Sequence, residues 1–473
     1  MLFLPELTLL ITGLVLFLVS LGKPGDSGLR TLVRSLMSLV LLASVISIRQ
    51  NGLIFFESYQ VNLFTQVFKV LIAAATLVVL IFSGSAPGIK KDVKAEYYLF
   101  LFMAVLGLMM LVSSVELLAI FVSLELSGFA VYILVPLRRT DTGTVYQVEA
   151  AIKYLLFGVM ASGFMLFGMS YLFGLSGSTY LSVIVPAIGT MSHQPAAIIA
   201  TMLVLAGFFY KLAIFPFHFW VPDVYEGAAN ETTAFISAVP KIAAVAVLIR
   251  LLTMISAERE TVALLLLVCS VASMFYGNLC ALAQTDIKRM LGYSGISHAG
   301  FVLFGLLTLQ MDGYSTALYY VVGYAVMNLA CFLVICTIAT SGENLKISDL
   351  AGLHKRAPLL AVTLATGLFA LAGIPPFVGF TGKFMLLVHA FKQGYVLAVI
   401  LAALNTAIAL YYYLSVVRFA YCTEPGSEDS APFADNIFLT NTVSVILLVI
   451  IIAMGVAPAG FLKLASATIQ TIL

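Results

Sequence analysis

Apolar stretches of about 20 residues follow one another along nearly the whole chain, each long enough to cross the roughly 30 Å hydrocarbon core of a bilayer as a helix. A soluble core has no room for them. Of 473 residues, 62% are hydrophobic and only 10% charged, with a mean hydropathy of +1.09, against roughly 25% charged residues in an ordinary globular domain. In hydrocarbon every backbone N–H and C=O must be paired inside its own segment, so the chain reads as an all-α integral membrane protein. About 14 transmembrane helices are expected, centred on 2–22, 30–48, 64–83, 97–113, 115–136, 146–175, 195–216, 231–253, 261–283, 290–309, 314–340, 358–390, 395–421 and 437–460. They form one membrane domain over 1–473 with no linker; the longest polar breaks run from Ser83 to Glu96, Gly342 to Pro358 and Thr423 to Asp435. The first run, Leu2 to Leu21, lacks a basic leading segment and a small-residue cleavage site, so it reads as a retained helix.

Cytoplasmic loops collect Lys and Arg. With the N-terminus outside, those loops receive Lys23, Arg30, Arg34, Lys90, Lys91, Lys94, Arg138, Arg139, Lys288, Arg289, Lys346, Lys355, Arg356 and Arg418. The other face receives only Arg49, Arg250, Arg259, Lys392 and Lys463. The bias favours an even helix count with both termini outside.

Five lysines escape this scheme: Lys69, Lys153, Lys211, Lys241 and Lys383 fall inside apolar runs. A charge at the bilayer centre costs roughly 2.5–3.5 kcal/mol on insertion scales, so its default reading is an ion or proton path. Snorkelling to the interface or a static ion pair is the competing reading, and it is strongest for Lys69, near a helix end. One carboxylate stands apart. Glu125 lies mid-run in Phe121-Val-Ser-Leu-Glu125-Leu-Ser-Gly128, followed by small residues that admit another helix, while Glu116 sits at the membrane edge. A carboxylate near a lysine favours the charged form of both, and separation favours neutrality. A movable Glu–Lys contact therefore raises and lowers a lysine's proton affinity.

Two runs carry breakers beside their lysines: Tyr210-Lys211-Leu-Ala-Ile-Phe-Pro216-Phe-His218-Phe-Trp220-Val-Pro-Asp223, and Ala372-Gly-Ile-Pro375-Pro376-Phe-Val-Gly379-Phe-Thr-Gly-Lys383. Proline removes an intrahelical hydrogen bond, and broken helices in corresponding halves point to inverted-repeat transporters. A plain proline kink is the blander alternative. Lys241 follows Pro240 and is a third mid-membrane base; Lys153 comes early in its helix, able to face Lys211. His218 and His298 are further candidates, since imidazole titrates near neutrality, although each reads equally well as a hydrogen-bonded packing residue.

The five cysteines, Cys269, Cys280, Cys331, Cys336 and Cys422, show no Cys-x-x-Cys or cluster spacing and read as reduced core residues. There is no dinucleotide fingerprint, phosphate loop or haem ligand set. No cofactor or metal is expected in this chain, no nucleic-acid partner, and any redox step falls to partners.

Taken together, these segments resemble the antiporter-like subunits of respiratory complex I over nearly the entire chain. Phe215-Pro-Phe-His-Phe-Trp-Val-Pro-Asp223 is similar to the family's most recognisable block. Asp223-Val-Tyr-Glu-Gly227, Gly373-Ile-Pro-Pro-Phe-Val-Gly-Phe-Thr-Gly-Lys-Phe384 and the Leu-Pro-Glu6 opening resemble its N-type members in particular. The resemblance implies two inverted five-helix repeats, at about 97–253 and 261–421, with helices 7 and 12 broken, three flanking helices before them and a last helix at 437–460. It implies a proton path at Glu125, Lys211, Lys241 and Lys383. It implies membrane-arm and peripheral-arm partner subunits in a bacterial inner membrane, with NADH, FMN, iron–sulfur clusters and quinone held by those partners. Gly227-Ala-Ala-Asn-Glu-Thr-Thr-Ala234 departs from the family pattern, which bears on the shape of the loop between helices 7 and 8.

The function expected is that of a non-redox, proton-translocating subunit of an NADH:quinone oxidoreductase. A subunit of a multi-subunit Na+/H+ antiporter or of a membrane-bound hydrogenase would use the same residues. An independent solute transporter lacks its polar substrate groups, and a silent scaffold would require the buried charges to be idle.

Overall fold

The computed structural model describes residues 1–22, 24–139, 146–191, 194–253, 259–423 and 437–472. Lys23 and residues 424–435 of the last polar break lie outside the described residues. The first helices are α1 (Leu4–Ser20), α2 (Asp26–Ile46), α3 (Leu63–Phe82), α4 (Lys94–Ser113), α5 (Leu117–Leu134) and α6 (Tyr146–Ser176). The middle of the chain forms α7 (Leu181–Thr190), α8 (Pro195–Leu212), α9 (Trp220–Gly227), α10 (Asn230–Thr253), α11 (Arg259–Leu282) and α12 (Ile287–Leu306). The rest comprises α13 (Met311–Ile338), α14 (Leu353–Arg356), α15 (Pro358–Ala372), α16 (Val378–Lys392), α17 (Val396–Cys422), α18 (Ile437–Val456) and α19 (Pro458–Gln470).

Among the described residues, 11 helices are long and apolar enough to cross a membrane, and α1, α7 and α15 are shorter apolar helices. Every apolar window of the sequence falls on a helix. Four short helices, α7, α9, α14 and α19, lie between windows or beyond them, and a small antiparallel hairpin, β1 (Gly52–Ile54) with β2 (Tyr59–Val61), joins α2 to α3.

Helix ends follow local chemistry. Asn62 caps α3 by accepting from Thr65 N at 3.0 Å, while Thr65 Oγ1 accepts from Asn62 N at 3.0 Å. Proline opens α8, α15 and α19, where its missing N–H costs nothing. α10 and α13 form the centre: α10 packs on α3, α4, α8, α12 and α13, and nearly all its side chains are buried.

The two broken segments end their first halves in one way. In α8, Ala213 N donates to Tyr210 O at 3.0 Å and Ile214 N to Phe209 O at 2.9 Å; in α15, Gly373 N donates to Ala370 O and Ile374 N to Phe369 O, both at 3.0 Å. This is the Schellman pairing, whose turning residue is left-handed, and Ala213 (φ 64°) and Gly373 (φ 87°) both adopt it. Glycine takes that conformation freely, whereas at Ala213 the Cβ is crowded. Each break is followed by an X-Pro-Phe step whose phenylalanine N–H returns to the isoleucine carbonyl, Phe217 to Ile214 at 2.7 Å and Phe377 to Ile374 at 3.2 Å.

The segment Gly227–Ala234 is less of a loop than the sequence suggests. α9 ends at Gly227 and α10 begins at Asn230, so only Ala228 and Ala229 link them. Their short connection is held by Lys288, whose Nζ donates to Ala228 O at 2.9 Å, and by Arg138, whose guanidinium donates to Glu226 O at 2.8 Å.

Candidate functional site

Glu125 projects from α5 beside the end of α8. Ser162 on α6 donates its hydroxyl to Glu125 Oε1. Lys211, in the last turn of α8, is 4% exposed, and its Nζ makes no hydrogen bond among the described residues. The ammonium lies against Gly128, one turn along α5 from Glu125: a Cβ placed on Gly128 would stand 3.6 Å from Lys211 Nζ and 3.6 Å from the Tyr132 hydroxyl. The small residues after Glu125 thus admit the lysine, as their size suggests. Carboxylate and ammonium are neighbours without direct ion pairing.

Lys241, on α10, is buried with Nζ 3.1 Å from the Tyr324 hydroxyl and 3.4 Å from Gly295 O, and 4.9 Å from the Tyr324 ring centre. His298, on α12, follows. Its Nδ1 is 2.7 Å from the Tyr320 hydroxyl and its Nε2 3.2 Å from that of Tyr413, and its ring is 5.1 Å from that of Tyr324. Lys383, on α16, reaches back across the second break to donate to Leu371 O at 2.9 Å and Ala372 O at 3.2 Å, with Nζ 4.9 Å from the Phe301 ring centre. None of Lys211, Lys241 and Lys383 forms a salt bridge with a described carboxylate. Lys241 meets a tyrosine hydroxyl and a backbone carbonyl, and Lys383 two backbone carbonyls, so neither charge is compensated by a described carboxylate in the low-dielectric interior.

Other candidates land elsewhere. Lys153 does not turn toward Lys211: its Nζ pairs with Glu149 Oε1 and Asp223 Oδ2, both at 2.7 Å, and its side chain is 38% exposed. Asp223 also meets Arg289 NH1 at 3.2 Å, and Arg289 meets Glu226 at 2.6 Å. These residues line a cavity of about 460 Å³ with Gln284 and Asp286. Asp286 caps α12 through Arg289 N at 2.9 Å, and burial pushes its carboxyl above the usual range. His218 lies in the first break, stacked on Phe215 and packed against Phe219 and the edge-on ring of Tyr276, with neither ring nitrogen hydrogen-bonded among the described residues. Glu116 caps α5 through Ala119 N at 2.7 Å. Lys69 is paired: its Nζ is 2.7 Å from Glu6 Oε1, both side chains fully buried, and Tyr59 donates to the same oxygen at 2.6 Å.

Four basic residues assigned to loops from sequence are buried: Lys94, which pairs with Asp26 Oδ2 at 2.8 Å, Arg138, Arg250 and Lys288. Arg250 lies inside α10 and donates to Ser114 O at 2.9 Å, and Arg138 and Lys288 hold the α9–α10 link. Each sits near a helix end, where sequence does not separate a loop charge from one capping carbonyls inside the bundle. The orientation bias loses those four markers. Glu231, on α10, was not singled out either; it is 2% exposed and accepts from Gly88 N at 3.2 Å. Only its place within an apolar helix could have flagged it.

Residues 114–409 match the transmembrane family described as NADH:quinone oxidoreductase/Mrp antiporter. NADH-quinone oxidoreductase subunit N 2 of Opitutus terrae is 46% identical, the match covering 99% of this chain and 98% of that protein. A chain of respiratory complex I from Thermus thermophilus superposes with a TM-score of 0.84 at 28% identity, over 98% of this chain and 99% of that one. A chain of the Mrp complex of Dietzia sp. DQ12-45-1b reaches a TM-score of 0.86 at 20% identity, over 99% and 96%, and is similar in fold.

Proposed function

The chain belongs to the NADH:quinone oxidoreductase/Mrp antiporter transmembrane family, as a relative of NADH-quinone oxidoreductase subunit N, and on that footing we propose how it moves protons. It is a proton-translocating membrane-arm subunit of NADH-quinone oxidoreductase, working with the other membrane-arm and peripheral-arm subunits. The finer reading is that it carries no redox centre, that NADH, FMN, iron–sulfur clusters and quinone act in partner subunits, and that its own contribution is a line of buried bases.

The observation that carries this reading is the set Lys211, Lys241 and Lys383, three buried lysines without a salt-bridge partner among the described residues, placed about two identically terminated helix breaks. Reduction of quinone in a neighbouring subunit shifts the spacing of Glu125 and Lys211. When the two approach, Lys211 holds its proton; when Glu125 is held by Ser162 and the pair is apart, Lys211 releases it. The proton passes to Lys241, through His298 to Lys383, and out. The matching breaks support two inverted repeats, at about 97–253 and 261–421, within about 14 spans, both termini outside a bacterial inner membrane.

Charge removal tests the path. In the assembled complex, Lys211→Met or Glu125→Gln lowers NADH-driven proton pumping while NADH oxidation by the peripheral arm with an artificial acceptor persists. Full pumping in both variants would overturn the path. Likeness to the Mrp chain supports, in fold alone, a second reading as an antiporter subunit; sodium-dependent ion movement without flavin or NADH activity in the purified assembly would favour it.

A further inference from the structure

Tyr225, on α9, is fully buried, yet its hydroxyl has no hydrogen-bond partner among the described residues. A buried hydroxyl left unpaired destabilises a fold, and a phenylalanine would fill the same space without that penalty. The residue itself is held: Thr233 Oγ1 donates to Tyr225 O at 3.2 Å, and a Cβ on Gly292 would stand 3.2 Å from Tyr225 Cδ2. Packing accounts for the ring and leaves the oxygen unexplained.

That oxygen shares its surroundings with Lys241. A Cβ on Gly295 would stand 2.9 Å from Lys241 Nζ, 2.9 Å from the Tyr324 hydroxyl and 3.9 Å from the Tyr225 hydroxyl. One glycine of α12 thus floors a small space bounded by three polar groups. Lys241 lies on one side of it, 3.1 Å from the Tyr324 hydroxyl. The two tyrosines face opposite directions along the line of bases. The Tyr225 ring is 6.5 Å from that of Trp220, whose Nε1 donates at 3.0 Å to the carbonyl of Tyr210, the residue before Lys211. The Tyr324 ring is 5.1 Å from the imidazole of His298.

Resting on the proton path proposed above, we infer that Lys241 is a swinging carrier with two stations, the Tyr225 hydroxyl on the Lys211 side and the Tyr324 hydroxyl on the His298 side. The structure shows it at the second. The four-carbon stem of a lysine has the freedom for the move, and Gly295 puts no side chain in its way. At Tyr225 the neutral amine takes the hydroxyl hydrogen while the Tyr225 oxygen takes the proton arriving from the Lys211 side. One O–H bond breaks as an N–H bond and a new O–H bond form. The ammonium crosses above Gly295 and gives a hydrogen to the Tyr324 oxygen, whose own hydrogen leaves toward His298, and the neutral amine returns. Bonded to one tyrosine, Nζ has no bond to the other, so the two halves of the path are never joined at once.

The test uses the assembled complex in liposomes. Tyr324→Phe removes the station that Lys241 now holds, and a density map of that variant should show the lysine turned to Tyr225; a lysine that stays in place overturns the swing. A positioned proton donor is worth about 10²–10⁴ in rate, so Tyr225→Phe should lower NADH-driven acidification per assembled complex at least about tenfold. Its unfolding temperature should not fall, because the oxygen removed is unpaired. An undiminished rate overturns the proposal, and a variant that loses stability assigns Tyr225 a structural role instead. Tyr225→Phe with Tyr324→Phe should pump no worse than the poorer single variant, since both tyrosines serve one nitrogen; losses that multiply overturn the shared carrier. Lys241→Met separates the swing from the path beneath it. Full pumping in Lys241→Met removes the path, whereas an inactive Lys241→Met beside a fully active Tyr225→Phe removes the swing alone.

Discussion

Lys383 donates to the carbonyl of Leu371 at 2.9 Å, so the second half of a broken helix places its cation on the open end of the first. The last carbonyls of a helix carry partial negative charge and favour a cation there. Lys383→Met removes that partner and leaves carbonyls buried without it, at a cost of about 1–3 kcal/mol. Lys383→Arg keeps a charge and donors. We expect pumping to fall sharply in Lys383→Met and much less in Lys383→Arg, measured by acidification at equal amounts of assembled complex. Equal pumping in the two variants would count against a charge requirement at this position.

Gly158 separates α6 from the tyrosines beside Lys211. A Cβ there would run into the Tyr132 hydroxyl and stand 2.6 Å from Tyr132 Cζ and 3.0 Å from the Tyr210 hydroxyl, whereas a Cβ on Gly128 would make ordinary contacts at 3.6 Å. Tyrosine is rigid and Tyr210 is anchored to Tyr154 O at 2.7 Å. Gly158→Ala is therefore an overpacking change of about 1–3 kcal/mol, and Gly128→Ala a mild one. Thermal unfolding of the purified assembly should drop for the first and hold for the second. Tyr132→Leu added to Gly158→Ala should restore part of the loss by vacating the ring's space.

The breaks and their lysines were legible because their signals are local: proline and glycine interrupt hydrogen bonding wherever they stand, and a lysine in an apolar run is costly in any fold. Lys211, Lys241 and Lys383 were found that way. The partners of these lysines were not legible, since Tyr324 and the Leu371 carbonyl are brought near by packing between distant helices. Lys153 misled because its position in α6 leaves open whether it turns inward, and only α9 supplies the Asp223 that holds it outward. α7 and α19 escaped notice because neither spans the 20 residues or so that mark a membrane crossing.

Glu6 and Lys69 form an ion pair at 2.7 Å with both side chains fully buried, tying α1 to α3. Removing one partner strands the other charge, at roughly 3–5 kcal/mol, while replacing both by apolar residues is often neutral. Glu6→Leu or Lys69→Leu alone should reduce the amount of assembled complex recovered from membranes. The double variant should recover most of it. A double variant as poor as the worse single one would show that the pair is needed for more than mutual neutralisation.

Asp223 bridges two cations, Lys153 at 2.7 Å and Arg289 at 3.2 Å, in the wall of a cavity. The two sides of this bridge are unequal. Lys153 is 38% exposed and has Glu149 as a second partner, so its pairs are screened by solvent and worth about 0–1 kcal/mol. Arg289 is less exposed and also bonds Glu226. Lys153→Met should therefore lower the unfolding temperature little, and that small effect should vanish at high salt, where exposed charges are screened within about 3 Å at 1 M. Asp223→Asn leaves Lys153 and Arg289 facing each other across the cavity without their shared anion. It should destabilise more than Lys153→Met at low salt, and added salt should recover part of the difference by screening the two cations. If Lys153→Met proves the more damaging of the two, in unfolding or in pumping at equal assembly, then Lys153 does more than close a surface network and belongs with the buried lysines after all.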